Sequence, residues 1–122
     1  MLGATLVAPT IPVSDLERSK AFYGDTLGLT LLGENPASIQ FACGDSQISI
    51  FRRPGTETVH TLAHFEVTDL AAVIADLEAK GVEFVDITEG PLATTNHVAK
   101  LGPVLGAWFH DPDGHTLGLR QV

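Results

Sequence analysis

The sequence predicts an α+β fold made of two tandem βαβββ modules, and three observations carry that expectation. The first is internal repetition: "IPVSDL" at 11–16 returns as "FEVTDL" at 65–70, and "LGLTLL" at 27–32 returns as "KGVEFV" at 80–85. The second is a change of period in each copy, from helical spacing before a glycine to alternation after it. The third is size, since 122 residues of which 44% are hydrophobic suit one domain with one buried core. The expected modules run from about 4 to 53 and from about 59 to 122.

In each copy a strand leads into Ser14 or Thr68 as helix N-cap, and Glu17, three residues after Ser14, would complete a capping box. The second helix is the better marked, with Leu70, Val73, Ile74 and Leu77 on one stripe; the first offers Leu16, Phe22, Tyr23 and Leu27. Each helix is expected to end at a glycine, Gly28 or Gly81. Beyond it, "LTLLG", "SIQFAC" and "QISIF" read as strands in the first copy, and "EFVDI", "VLGAWFH" and "HTLGLR" in the second. The stretch 88–102, "TEGPLATTNHVAKLG", has no clear period and reads as a lid or binding loop.

The segment "FHDPDGHTLGL" at 109–119 gathers two histidines and two aspartates, but its chemistry is that of a hairpin turn. Pro112 fixes φ, Asp111 and Asp113 can bond nearby backbone, and Gly114 tolerates positive φ. A calcium loop would need oxygen ligands at alternating positions and a closing carboxylate, which do not follow.

Cys43 is the only cysteine, which excludes an intrachain disulfide and a multi-cysteine zinc site and fits a reducing, cytoplasmic setting. No stretch is long and apolar enough to cross a bilayer, and no basic residue precedes the apolar positions of the N-terminus as in a secretory signal. A net charge of −8 repels phosphate backbones, and the seven lysines and arginines form no cluster denser than "FRRP". A neutral or cationic small molecule is the expected partner, rather than nucleic acid or membrane.

The tandem repeat, "VSDLERSKAFYGDTLGL" after the first strand and "FHDPDGHTLGL" at the end together resemble the vicinal oxygen chelate superfamily. This superfamily includes glyoxalase I, extradiol dioxygenases and the fosfomycin and bleomycin resistance proteins. The resemblance spans essentially the whole chain. It implies paired modules whose sheets curl into a cup with the helices outside, within one chain or across a homodimer. In metal-dependent members, the first and last strands of each module supply the ligands. Carried over position by position, those places hold Ala8 and Ser49 in the first module and Leu62 and Gly118 in the second. Such residues cannot hold a divalent ion, so the resemblance implies a member with neither metal nor cofactor.

The registers agree with this alignment, because Ile48 with Ile50, Ala63 with Phe65 and Val67, and Leu117 with Leu119 form apolar rows suited to lie under a helix. The opposite face then carries Leu62, His64 and Glu66 on one strand, and Trp108, His110, Thr116 and Gly118 on the closing hairpin. Gln47, Ser49 and Phe51 share that face in the first module. His64 beside Glu66 could serve as a general acid–base pair, or as a polar pair that anchors a ligand. Trp108 either stacks on a ligand or fills the room left by a missing metal. Cys43, with no histidine or basic group adjacent, reads as a small core or edge residue. His97 lies in the expected lid, and His60 and His115 read as loop and turn residues.

The leading expectation is a metal-independent binding protein that sequesters a small molecule in an aromatic-lined cup. The alternative is a metal-free isomerase, lyase or hydrolase that uses His64 and Glu66. A third reading gathers His64, Glu66 and His110 around a metal; a fourth is a purely structural homodimer.

Overall fold

The computed structural model describes residues 1–53, 55 and 60–122, and its contacts divide into two units, Met1–Thr56 and Glu57–Val122. In the first, β1 (Thr10–Val13) leads into α1 (Leu16–Lys20), a π-helical segment (Ala21–Thr26), and then β2 (Thr30–Asn35), β3 (Ser38–Cys43) and β4 (Ser46–Arg52). The sheet order is β1-β4-β3-β2, with β1 parallel to β4 and the other pairs antiparallel. Alternation drives this arrangement: Ile11, Val13, Ile39, Phe41, Ile48 and Ile50 are all buried on the face that α1 covers. Tyr23 joins them from the π-helical segment, its ring centroid 6.3 Å from that of Phe41.

The second unit contains β5 (Thr61–Glu66), α2 (Leu70–Ala79), β6 (Thr94–Thr95), β7 (Val98–Leu101), β8 (Val104–His110) and β9 (Thr116–Gln121). Their order is β5-β9-β8-β7-β6, with β5 parallel to β9. Leu70, Ile74 and Leu77 of α2 are buried, as are Ala107, Phe109, Leu117 and Leu119 of the strands beneath. The three apolar rows expected from the sequence therefore lie on the helix side, and the register holds.

Five local expectations are corrected. The N-caps are Asp15 and Asp69, one residue later than expected: their carboxylates accept from the N–H of Arg18 at 3.0 Å and of Ala72 at 3.1 Å. Ser14 instead accepts from the Arg18 guanidinium, so Glu17 closes no capping box. The expected strand at 83–87 is reduced to one bridge between Phe84 and Phe109. In its place, the sheet takes β6 and β7 from the stretch 88–102, so Thr94–Leu101 of that stretch is a hairpin on the sheet edge rather than an irregular loop. Ala8 lies before the start of β1, and the residue paired with Ser49 is Thr10. Both glycine stops are as expected, at φ +80° for Gly28 and +87° for Gly81. After α2 the N–H groups of Gly81 and Val82 close back on the carbonyls of Glu78 and Leu77, a Schellman motif.

Candidate functional site

The helix-free face of the second sheet assembles from strand parity. Trp108 pairs with Gly118 and His110 with Thr116 across β8 and β9, and on the parallel side His64 pairs with Gly118 and Glu66 with Arg120. These residues share one face because Leu117, Leu119 and Phe109, between them, are buried under α2.

Leu62 departs from its expected place. The pairing steps from Thr61 opposite Thr116 to Ala63 opposite Leu117, so Leu62 is the extra residue of a bulge. Thr61 takes its position on the face: a Cβ added to Gly118 would meet Cγ2 of Thr61 at 3.4 Å, Cβ of His64 at 3.2 Å and Cδ1 of Trp108 at 3.6 Å. Gly118 thus forms the floor between an imidazole, an indole and a threonine methyl. A side chain there would need His64 to give by a few tenths of an ångström.

Arg120 is the residue of this face that the sequence reading missed, although its parity with Gly118 was available as a signal. Its Nη1 donates to Oε1 of Glu66 at 2.7 Å. His64 Nε2 stands 3.9 Å from the same oxygen, beyond hydrogen-bond reach, with half of its side chain exposed. Trp108 is half-buried and His110 is exposed.

In the first unit, Gln47, Ser49 and Phe51 share the face opposite Ile48 and Ile50, as expected. The Ser49 hydroxyl is engaged by Nε2 of Gln40 at 3.3 Å, a partner from β3 that the sequence reading did not single out. Among the described residues no group of three or more His, Cys, Asp or Glu side chains is gathered to hold a metal, so His64, Glu66 and His110 do not form the metal set considered above. The places of the family's ligands fit a divalent ion poorly too: Gly118 offers no donor, and Thr10, Thr61 and Ser49, which the structure puts at the other places, offer only neutral hydroxyls, that of Ser49 already in use.

Three histidines outside this face behave differently from one another. His60 is exposed. His115 lies in the β8–β9 turn, as expected, but is fully buried there, and its backbone N–H donates to Oδ1 of Asp111 at 2.9 Å. His97 is no free loop residue: Nδ1 lies 2.8 Å from Asp86 and Nε2 3.2 Å from Glu78. Its ring packs on Phe84 with centroids 5.6 Å apart. The hydrogen bond to Asp86, together with the charges of Asp86 and Glu78, raises its pKa. Burial pushes the Cys43 thiol up, which makes it a poor nucleophile.

The model of the Glyoxalase/Bleomycin resistance protein/Dioxygenase superfamily matches residues 5–119. No curated protein sequence matches the chain significantly. Among solved structures, TnmS3, an antibiotic-binding protein from Streptomyces sp. CB03234, is 28% identical with a TM-score of 0.71, over 99% of this chain and 98% of its own. A glyoxalase/bleomycin resistance protein from the same organism is also 28% identical, with a TM-score of 0.69 over 96% of this chain and 100% of its own. Lactoylglutathione lyase from Agrobacterium tumefaciens shares the fold at 18% identity, with a TM-score of 0.72 over 97% of this chain and 93% of its own.

Proposed function

The chain belongs to the Glyoxalase/Bleomycin resistance protein/Dioxygenase superfamily, and from that premise we propose that it is a metal-independent binding protein that sequesters a neutral or cationic small molecule. The observation that carries this reading is the packing around Gly118. His64, Thr61 and Trp108 close on the position where metal-dependent relatives place an acidic ligand, and the indole is left half-exposed on a polar face. An indole flanked by an imidazole and a charge-balanced Arg120–Glu66 pair can stack on a flat ligand and hydrogen-bond its edge. The antibiotic-binding function of a relative 28% identical supports the same reading.

The acid–base alternative needs His64 bonded to Glu66. Here the carboxylate accepts from Arg120 instead, and His64 stands 3.9 Å off, which weighs against a proton relay in the unliganded protein.

Native mass spectrometry of the purified protein, exposed to extracts fractionated for small molecules, tests the proposal together with elemental analysis. A bound mass released chemically unchanged, without stoichiometric metal, supports sequestration. About one zinc, iron, nickel or manganese per chain overturns metal independence. We further propose a homodimer, by the prevalence of two-fold assemblies; sedimentation at micromolar concentration giving only the monomer mass would refute it.

A further inference from the structure

On the helix side of the first unit, a hollow of about 350 Å³ is lined by Glu17, Lys20, Ala21, Gly24, Asp25, Leu29, Leu31 and Phe41. It lies on the opposite side of the first sheet from Gln47, Ser49 and Phe51 and does not depend on the function proposed above. The hollow exists because the helix stops short of the sheet edge. Leu31 of β2 pairs with Phe41 of β3, so both point toward the helix side, yet Phe41 is 1% exposed and Leu31 is 44% exposed. α1 has only five residues before the chain loosens into the π-helical segment, and that segment presents Gly24 over Phe41, where an added Cβ would lie 3.4 Å from the ring. π-helical turns recur at functional sites. The outcome is an apolar floor with no side chain of its own unit over it.

Charge at the rim selects the occupant. The one cation lining the hollow, Lys20, is already paired with Glu34 at 2.7 Å, and it also feels the charges of Glu17 and Asp25. Glu17 and Asp25 themselves make no hydrogen bond or ion pair among the described residues. The rim therefore keeps two carboxylates in excess over an apolar floor. We propose that this hollow is a second binding site, for a small amphiphilic organic cation. The apolar body of such a ligand rests on Phe41 and Leu31, and its ammonium or amidinium group pairs with a rim carboxylate, Glu17 or Asp25. An anion is refused by the same carboxylates, and an uncharged isostere gains only the floor.

Amide chemical-shift titration of the whole chain tests this with three probes of one shape: phenethylamine, phenethyl alcohol and phenylacetate. The expected result is saturable shifts at Ala21, Gly24, Leu29, Leu31 and Phe41 with the amine, affinity about tenfold lower for the alcohol, and no response to the acid. Glu17→Gln combined with Asp25→Asn should weaken the amine by about tenfold, to the level of the alcohol. The wild-type comparison of the three probes decides the matter even if the double variant folds poorly. Equal affinity for amine and alcohol, shifts confined to other residues, or none at all would overturn the proposal. So would shifts at these residues that follow protein concentration without any probe, because a second copy would then cover the hollow.

Discussion

His64 and Gly118 face each other across the parallel β5–β9 pair so closely that a Cβ on the glycine would lie 3.2 Å from that of the histidine. The histidine Cβ is anchored to its strand and cannot rotate away. Gly118→Ala should therefore destabilise by about 1–3 kcal/mol through overpacking, outweighing the ~0.4–1 kcal/mol that a lost glycine returns by restricting the unfolded chain. Urea unfolding measures it, and a midpoint equal to or above wild type would show that the strands part freely.

Binding and catalysis separate on three side chains of the same face. For a protein that sequesters its ligand, Trp108→Ala removes stacking and buried area worth on the order of 1–3 kcal/mol and weakens binding tenfold or more. His64→Ala and Glu66→Gln then lose only contacts. If a product forms, and its rate falls by roughly 10²–10⁴ in the His64 and Glu66 variants while binding survives, the acid–base alternative is correct. Calorimetry and product analysis on one ligand distinguish the patterns.

His97 supplies a pH dependence with a definite sign. Its pKa is raised by the hydrogen bond to Asp86 and by the charges of Asp86 and Glu78, above the ordinary value of about 6.5. A raised folded-state value means that the stabilisation is fully present below about pH 6.5 and is lost as pH rises through the folded value. Asp86→Asn should flatten this slope in thermal melts. His97 also sits at φ 71°, after Asn96 at φ 52°, a two-residue hairpin turn in which a side chain is strained. His97→Gly relieves about 1 kcal/mol of that strain, so it should melt above wild type in alkaline solution and lose that advantage in acid. The same ordering at both extremes would remove the ion pairs from the account.

Asp111 holds the closing hairpin. Its Oδ1 accepts from the N–H groups of Asp113 and His115, each at 2.9 Å, and the residue is only 5% exposed. Asp111→Ala leaves those donors unsatisfied and should cost about 2–3 kcal/mol in denaturant unfolding. Asp111→Asn keeps an acceptor in place and should retain most of the stability; equal losses for the two would point to charge rather than to hydrogen bonding.

The apolar rows were legible because burial on one face writes itself as alternation, and from Ile48, Phe65 and Leu117 the polar face followed by parity. Leu62 was not legible, since its bulge is a property of two strands and appears only when β5 is laid against β9. Nor was β6–β7: two residues in one strand and four in the other, on a sheet edge, are too few to show a period. Asp86 and Glu78 reach His97 from well upstream, and no local pattern joins them. The caps shifted by one because Asp15 and Asp69 follow equally plausible hydroxyls at Ser14 and Thr68.

Each unit closes its sheet by setting its first strand parallel to its last, β1 on β4 and β5 on β9. On the ribosome, this orders events. The first unit has all its strands once residue 52 has emerged, while β5 must wait for Thr116–Gln121, with Ala63 and Phe65 lacking their β9 neighbours through the synthesis of everything between. A stall or frameshift within β9 would therefore strand not the tail of the chain but its middle, and a nascent protein cut short there should be a substrate for chaperones rather than a shortened version of the fold.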